Sequence, residues 1–380
     1  MNIAFDAKRI TSNATGLGNY SRYIVGALAE YYPESNYLLC APSVGNPRLY
    51  EELLRHRSVT MHTPEGSLGK LLGAWWRNRG VKSVLLREEV DIYHGLSNEL
   101  PYGLFREKRI GTVVTIHDLA FVHHPEFYSS IDRVLYRQKY RASARAADHV
   151  IAVSEFTRRD LIEMWGVEED RVSVVYQGCS PRFAQMRPEE IAFARGHYQL
   201  PERYILFVGS IEERKNLRLV VRALAALRDK GLHLLAIGRR TPYCDAVMSE
   251  ARRLGVMGQV RLMHQVPTVH LPGIYGGAEV FVYPSRFEGF GIPLIEALNA
   301  GVPVIGATGS CLEEAGGPYS LYTDPDDADM LSDLIFSVID SPSQRAKMVR
   351  EGRSYAQRFN PKQIVRELRS VYENVLLTHD

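Results

Sequence analysis

The sequence predicts an α/β protein made of two doubly wound, parallel-sheet domains, and three observations carry that prediction. Its 380 residues suffice for two domains, each with its own core. Short apolar strands alternate with helical segments along both halves, the pattern of repeated β-α-β units. The series also restarts: a buried first strand at residues 2–5 is matched by another at 204–210, after a charged, irregular connection at 181–200. The domains are therefore expected at 1–182 and 183–361.

Composition excludes several classes. With 45% hydrophobic residues, 24% charged residues and a formal charge of +2, the chain reads as an ordinary soluble protein with nothing global pointing to nucleic acid. Cys40, Cys179, Cys244 and Cys311 are scattered without a Cys-x-x-Cys pair. Neither a disulfide framework nor a zinc site is expected, and the four read as small buried hydrophobes in a reducing cytosol. The opening segment carries Asp6 rather than a basic, apolar leader, and no apolar run approaches ~20 residues. A cytoplasmic protein, neither exported by a cleaved signal nor membrane-spanning, is expected.

In the first half, strand 2–5 leads through Asp6 to Gly16-Leu17-Gly18 and a helix at about 21–31. Glycines at the mouth of a helix suggest a phosphate or a close backbone approach. A dinucleotide fold fits poorly. Gly16-x-Gly18-x-x-Ser21 lacks the third glycine, the preceding loop is too long, and strand 37–41 ends at Pro42 without an acid for a ribose. Leu68, Leu71, Leu72, Trp75 and Trp76 fall at helical spacing among Lys70, Arg77, Arg79, Lys82 and Arg87. Such a helix either packs into its domain with its charges in water or rests on an anionic membrane surface. Strands follow at 91–95 and 111–116, the second ending in His117-Asp118, and strand carboxyl ends carry the chemistry of open parallel sheets. Asp118 would orient the imidazole or cap the next segment. Arg133, Arg137, Lys139, Arg141 and Arg145, interleaved with Tyr136 and Tyr140, form either a solvated face or, with the first basic helix, a surface for a lipid-linked diphosphate. Strands at 148–154, with Ser154 as a helix cap, and 172–176 complete the half, and Gln177-Gly178 opens the linker.

In the second half, strand 204–210 is followed by Arg214-Lys215-Asn216 and a helix at 217–230. Two cations beside the Gly209 turn suit two phosphates, Arg214 by forked hydrogen bonds and Lys215 as a point charge. Strands at 232–238, 260–262 and 278–283 and a short helix at 270–276 lead into residues 283–304. There Gly289 and Gly291 permit a tight loop, Pro293 suits a first helical turn, and Gly301 and Pro303 stop the helix. A helix opened this way aims free N–H groups and a partial positive charge at whatever sits above Gly291, favouring a diphosphate. Glu296, expected in the first turn, can accept the two hydroxyls of a ribose, and Glu288 those of a second sugar. Asp324-Pro-Asp326 superficially supplies an Asp-x-Asp metal motif, but it precedes a helix from 328, so caps explain it better and no metal is expected. Residues 345–376 read as helical, with a break at Pro361.

Glu288-x7-Glu296 in this setting resembles the signature of retaining GT-B glycosyltransferases of family 4. So do Gly209-x4-Arg214-Lys215-Asn216-Leu217, the amino-terminal Gly16-x-Gly18-x-Tyr20-Ser21-Arg22 loop, and His117-Asp118 with His124-Pro125. The resemblance implies two facing Rossmann-like domains with a cleft between them, and a last helix, about 362–380, crossing back onto the first. It implies a nucleoside diphosphate sugar held by Gly16, Leu17, Gly18, Gly209, Arg214, Lys215, Ser285, Phe290, Gly291, Ile292 and Glu296 without a metal or other cofactor. His117, Asp118 and Glu288 would serve catalysis, with front-face attack in which the departing phosphate takes the acceptor's proton. It further points to bacterial mannosyltransferases: GDP-mannose as donor, a lipid-linked saccharide of O-antigen or exopolysaccharide as acceptor, and peripheral contact with the inner membrane. A GT-B nucleotide-sugar epimerase and a non-catalytic carbohydrate-binding scaffold are the alternatives.

Overall fold

The computed structural model describes residues 1–64 and 73–379. Leu68, Lys70, Leu71 and Leu72 of the first basic segment lie outside the described residues. The chain forms two compact units, one of residues 1–177 with 361–380 and one of residues 178–360. The division thus falls slightly before the expected 182/183.

The first unit holds β1 (Asn2–Asp6), β2 (Asn36–Cys40), β3 (Val59–His62), β4 (Ile92–Gly95), β5 (Gly111–Ile116), β6 (His149–Ala152) and β7 (Val172–Val174) in the order β3-β2-β1-β4-β5-β6-β7. The second holds β8 (Tyr204–Val208), β9 (His233–Ile237), β10 (Val260–Met263), β11 (Val280–Tyr283), β12 (Val304–Ala307) and β13 (Leu321–Thr323) in the order β10-β9-β8-β11-β12-β13. Neighbours pair in parallel throughout. The order reverses between β1 and β4 and between β8 and β11, which opens a crevice at the carboxyl ends of those strands. The fold class is therefore as expected, α/β with two doubly wound parallel sheets.

Central strands are apolar on both faces because helices cover both faces. All six residues of β5 are buried. One core layer of the first unit gathers Phe5, Ile24, Leu28 and Ile92 with Ile364, Val365, Leu368, Val371 and Tyr372 of the final helix, Pro361–His379. Gly111 makes room for that helix, since a Cβ there would stand 2.7 Å from Val375 Cγ1. Among the described residues, no helix is long and apolar enough to cross a membrane.

Several elements differ from the sequence expectation. Strands β3 and β13 were not expected; both are short sheet edges, and most of their residues are only half-buried or exposed. The helix expected from Ser21 begins at Gly16 and runs to Tyr31. Asn13 Oδ1 accepts from Thr15 N at 2.7 Å and turns the chain into it, while the missing Cβ of Gly18 admits the Asn13 carbonyl. Gly16, Leu17 and Gly18 thus form a first helical turn rather than a loop. The stretch read as an irregular connection contains the helix Pro188–Tyr198. Proline at its start and a hydrogen bond from Arg187 N to Glu190 Oε2 (2.9 Å) set it up. Only Ala194 on it is buried, so no apolar stripe announced it. Arg77, read among solvated charges, is buried: its Nε donates to Asp6 Oδ2 at 2.9 Å and its Nη1 to Glu99 Oε2 at 2.7 Å.

Candidate active site

In the second unit, the β8/β11 crevice brings two loops together. After β8, a turn of 3₁₀ helix, Glu213–Lys215, ends at Asn216 in the left-handed region (φ 58°), and Asn216 Nδ2 donates to Pro325 O at 2.7 Å. After β11, residues 284–291 lead to the helix Ile292–Ala300. The loops are tied to each other: Arg286 N donates to Arg214 O at 2.9 Å, and Arg214 Nη1 donates to Phe287 O. Gly291 sits at φ 122°, where a side chain would be strained and its Cβ would stand 2.9 Å from Leu312 Cδ2.

Glu288 is the focus of this site. Its Oε1 accepts from Lys215 Nζ at 2.5 Å and from Ser285 Oγ at 2.6 Å, and it pairs with Arg214 Nη1 at 3.2 Å. Lys215 Nζ also donates to Tyr283 Oη at 2.5 Å, and Arg214 Nη2 to Glu212 Oε1 at 2.9 Å. Burial alone would raise the Glu288 pKa, but Lys215 and Arg214 override it and hold the carboxyl down at about 2. Glu288 is therefore a carboxylate under all ordinary conditions. Behind the loop, the Cys311 thiol lies 3.0 Å from both Glu288 O and Phe290 O, so this cysteine anchors the loop as well as filling space.

The structure brings Arg214, Lys215, Ser285 and Glu288 together, but sets Glu296 apart from them. The helix has no acid in its first turn. Glu296 stands in the second turn, half-buried, and accepts from Tyr275 Oη at 2.8 Å. The expectation of a first-turn position is corrected by the helix start at Ile292. Burial raises its pKa to about 7, with the Tyr275 hydrogen bond working against the rise. Phe290 is buried with its ring centroid 5.5 Å from that of Phe359, so its side chain anchors the loop and only its backbone is available to a ligand. Ile292 and Gly291 open the helix; Pro293 has no N–H and Leu294 N donates to Gly291 O at 2.9 Å, so the first turn aims fewer N–H groups at a ligand than the sequence suggested. Gly209 N donates to Ile237 O at 2.9 Å, and its carbonyl is approached so closely by Gly238 that a Cβ there would lie 1.8 Å away. Asp324-Pro-Asp326 acts locally: Asp324 Oδ1 accepts from Asp326 N at 2.8 Å, and the neighbouring Asp327 caps its helix through Met330 N at 2.7 Å.

In the first unit, His117 follows β5 and is buried. Its Nε2 donates to Leu96 O at 2.9 Å, so Nδ1 is the acceptor for Gln177 Nε2 at 3.2 Å. Burial lowers its pKa, which keeps the ring neutral. Of the two roles open to Asp118 the structure shows capping: Oδ1 accepts from Ala120 N at 3.0 Å, and Leu96 and Gln177 orient the imidazole instead. Tyr20, from the glycine-mouthed helix, meets the His117 ring edge-on with centroids 4.6 Å apart. Its hydroxyl lies 3.3 Å from Thr115 Oγ1, which is 2.8 Å from Nε2 of the buried His94; His94 Nδ1 is 2.7 Å from Tyr372 Oη of the final helix. The sequence reading gave no role to Tyr275, Tyr283 or His94, and named Tyr20 only within the amino-terminal motif and Cys311 only as a small buried hydrophobe. Tyr283 alone had a usable signal, as a polar strand end before Pro284.

Comparison with known proteins places the chain in a family. Residues 15–183 match the model of Glycosyltransferase Family 4, and residues 189–355 that of Glycosyl transferases group 1. The chain is 32% identical over 281 residues to O-antigen chain mannosyltransferase B of Escherichia coli, a match covering 72% of each protein. It is 28% identical over 214 residues to O-antigen chain mannosyltransferase RfbU of Salmonella typhimurium, covering 56% of this chain and 57% of that one. Among solved structures, a glycosyltransferase from Rickettsia africae superimposes with a TM-score of 0.78 at 17% identity, over 99% of this chain and 98% of that one. Anabaena Alr3699/HepE, solved with UDP and glucose, gives 0.75 at 20% identity over 98% and 100%. These two establish likeness of fold, and the sequence matches establish kinship: the chain belongs to glycosyltransferase family 4 and has the GT-B fold.

Proposed function

We propose that this protein moves a hexose, with retention of anomeric configuration, from a nucleoside diphosphate to a hydroxyl of a lipid-linked saccharide at the cytoplasmic face of the inner membrane. The observation that carries the reading is the meeting of Arg214, Lys215 and Glu288 at the carboxyl ends of β8 and β11, beside the amino end of the helix from Ile292. As the bond between sugar and diphosphate breaks, negative charge grows on the phosphate oxygens. Arg214, Lys215 and the helix dipole stabilise that charge without a metal, and the leaving phosphate takes the acceptor's proton. Glu288 holds sugar hydroxyls and Glu296 the ribose. Glu288 is a poor candidate for a covalent nucleophile, because Lys215, Arg214 and Ser285 crowd one of its oxygens.

GDP-mannose is the preferred donor on the strength of the two O-antigen mannosyltransferase relatives. For the acceptor side, the helix Ser130–Ala146 supports a membrane surface. Ile131, Val134 and Leu135 are 74%, 55% and 43% exposed at helical spacing. Arg133, Arg137, Lys139, Arg141 and Arg145 accompany them against the single acid Asp132, a composition suited to anionic headgroups.

A panel of GDP-mannose, UDP-glucose, UDP-N-acetylglucosamine and dTDP-rhamnose, with and without lipid-linked acceptor, tests the proposal. Acceptor-dependent release of GDP is expected, unchanged by chelator and reduced ~10²-fold or more in Arg214→Ala and Lys215→Ala. Full turnover in the double variant, loss of turnover with chelator, or sugar interconversion without acceptor would each overturn it.

A further inference from the structure

We propose that Glu288 is the resident anion of the phosphate clamp. On this reading its carboxylate gives up Arg214 and Lys215 to the incoming diphosphate, and Tyr283 is the positioning residue that keeps Lys215 in place during the exchange. The inference rests on the second unit's being the donor site, and it concerns how that site is kept ready and emptied.

The acceptors around the two cations are already in place. Lys215 donates to Tyr283 Oη and to Glu288 Oε1, each at 2.5 Å; Arg214 donates to Glu212 Oε1 at 2.9 Å and to Phe287 O, with Glu288 Oε1 3.2 Å away. An ammonium has three protons, and Tyr283 and Glu288 take two of them. A diphosphate that draws both cations to itself therefore competes with the acceptors already on them, and the four acceptors differ in how readily they move. Phe287 O is backbone. Tyr283 is 1% exposed, its ring stacked against Phe207 and Phe281 at 5.5 and 5.9 Å. Glu212 reaches Arg214 but is not paired with Lys215. Glu288 alone among these acceptors is charged, touches both cations and sits on a loop side chain.

Buried Lys215 and half-buried Arg214 would be costly without an anion, and Glu288, together with Glu212 on Arg214, balances their two charges in the empty clamp. Once displaced, its carboxylate lies beside the phosphates, where the transferred sugar's hydroxyls are. It then accepts from them while Lys215 remains fixed by Tyr283. When the sugar has left, the same carboxylate competes with the remaining nucleoside diphosphate and favours its release.

This competition has a signature that a sugar-holding or merely structural role lacks: removing the charge should tighten binding of a ligand with no sugar. Calorimetry on the full chain with GDP and with UDP, without added metal, reads it directly. Glu288→Gln is expected to bind the nucleoside diphosphate about tenfold tighter or more, since a charge-assisted competitor is lost, while transfer falls ~10²-fold. Adding Lys215→Ala to Glu288→Gln should abolish the gain. Tyr283→Phe should bind more weakly than wild type, with kcat falling and the KM for acceptor unchanged. Should Glu288→Gln fail to fold, Glu288→Asp, whose carboxylate is withdrawn by one methylene, is expected to show a smaller gain of the same sign. Unchanged or weaker binding in the Glu288 variants, with Arg214→Ala still losing affinity, would overturn the exchange and leave the donor site standing. Absence of nucleoside diphosphate binding in wild type, with Arg214 and Lys215 dispensable for turnover, would overturn both.

Discussion

At the scale of single residues, the two glutamates of the signature have opposite electrostatics although burial lifts both. Lys215 and Arg214 hold Glu288 at about 2; Glu296 has only a phenol beside it and is pushed up to about 7. A carboxyl raised on folding contributes stability in full below its unfolded value of 4.5 and loses that contribution as pH rises through about 7. Glu296→Gln should therefore gain in Tm relative to wild type as pH is taken from 5 to 8, which thermal denaturation at several pH values measures. In the proposed donor site, ionised Glu296 is the better acceptor for a ribose. GDP affinity should accordingly drop several-fold as pH falls from 8 to 6 in wild type and stay flat in Glu296→Gln. The residue pairing around Glu288 was not legible in sequence. Arg214 and Lys215 lie more than seventy residues before it (|i−j| 73 for Lys215), and only the side-by-side placement of β8 and β11 brings them together.

At the scale of elements, the final helix is joined to the first unit by packing, by the buried His94–Tyr372 contact, and by outer contacts of Arg369 with Glu34 and of His379 with Lys108 O and Asp148. Tyr372→Phe keeps the packing but leaves Nδ1 of fully buried His94 without its partner, at a cost of about 1–3 kcal/mol. Chemical denaturation should show that loss, and a variant as stable as wild type would show that the contact contributes nothing. The Ser130–Ala146 helix is tested by Ile131→Asp with Val134→Asp. Sedimentation with anionic vesicles should fall ~10-fold or more, and salt should weaken wild-type binding, while transfer to a water-soluble acceptor stays intact. Elements with an apolar face and clear caps were readable in advance. The helix Pro188–Tyr198, with one buried residue, and the edge strands β3 and β13 were not, because their formation depends on neighbours rather than on their own pattern.

At the scale of the whole molecule, each unit has its own sheet, and the first depends on the last stretch of chain. Deleting residues 361–380 would strip Ile364, Leu368 and Tyr372 from a layer that contains Ile3 and Phe5. Such a truncated chain is expected to lose cooperative unfolding of the first unit, seen as a missing calorimetric transition, while nucleoside diphosphate binding by the second unit persists. The sequence by itself determined the alternation of strands and helices, the strand ends that carry polar residues, and the glycine and proline punctuation around Glu288. Apolar periodicity and backbone preference are local and need no knowledge of distant residues. Tertiary structure alone decided that Lys215 and Arg214 share one carboxylate, that Asp118 caps rather than orients, and that Arg77 is buried against Asp6. Which charge meets which depends on strand order and on the desolvation that comes with packing, and neither is a property of any single segment.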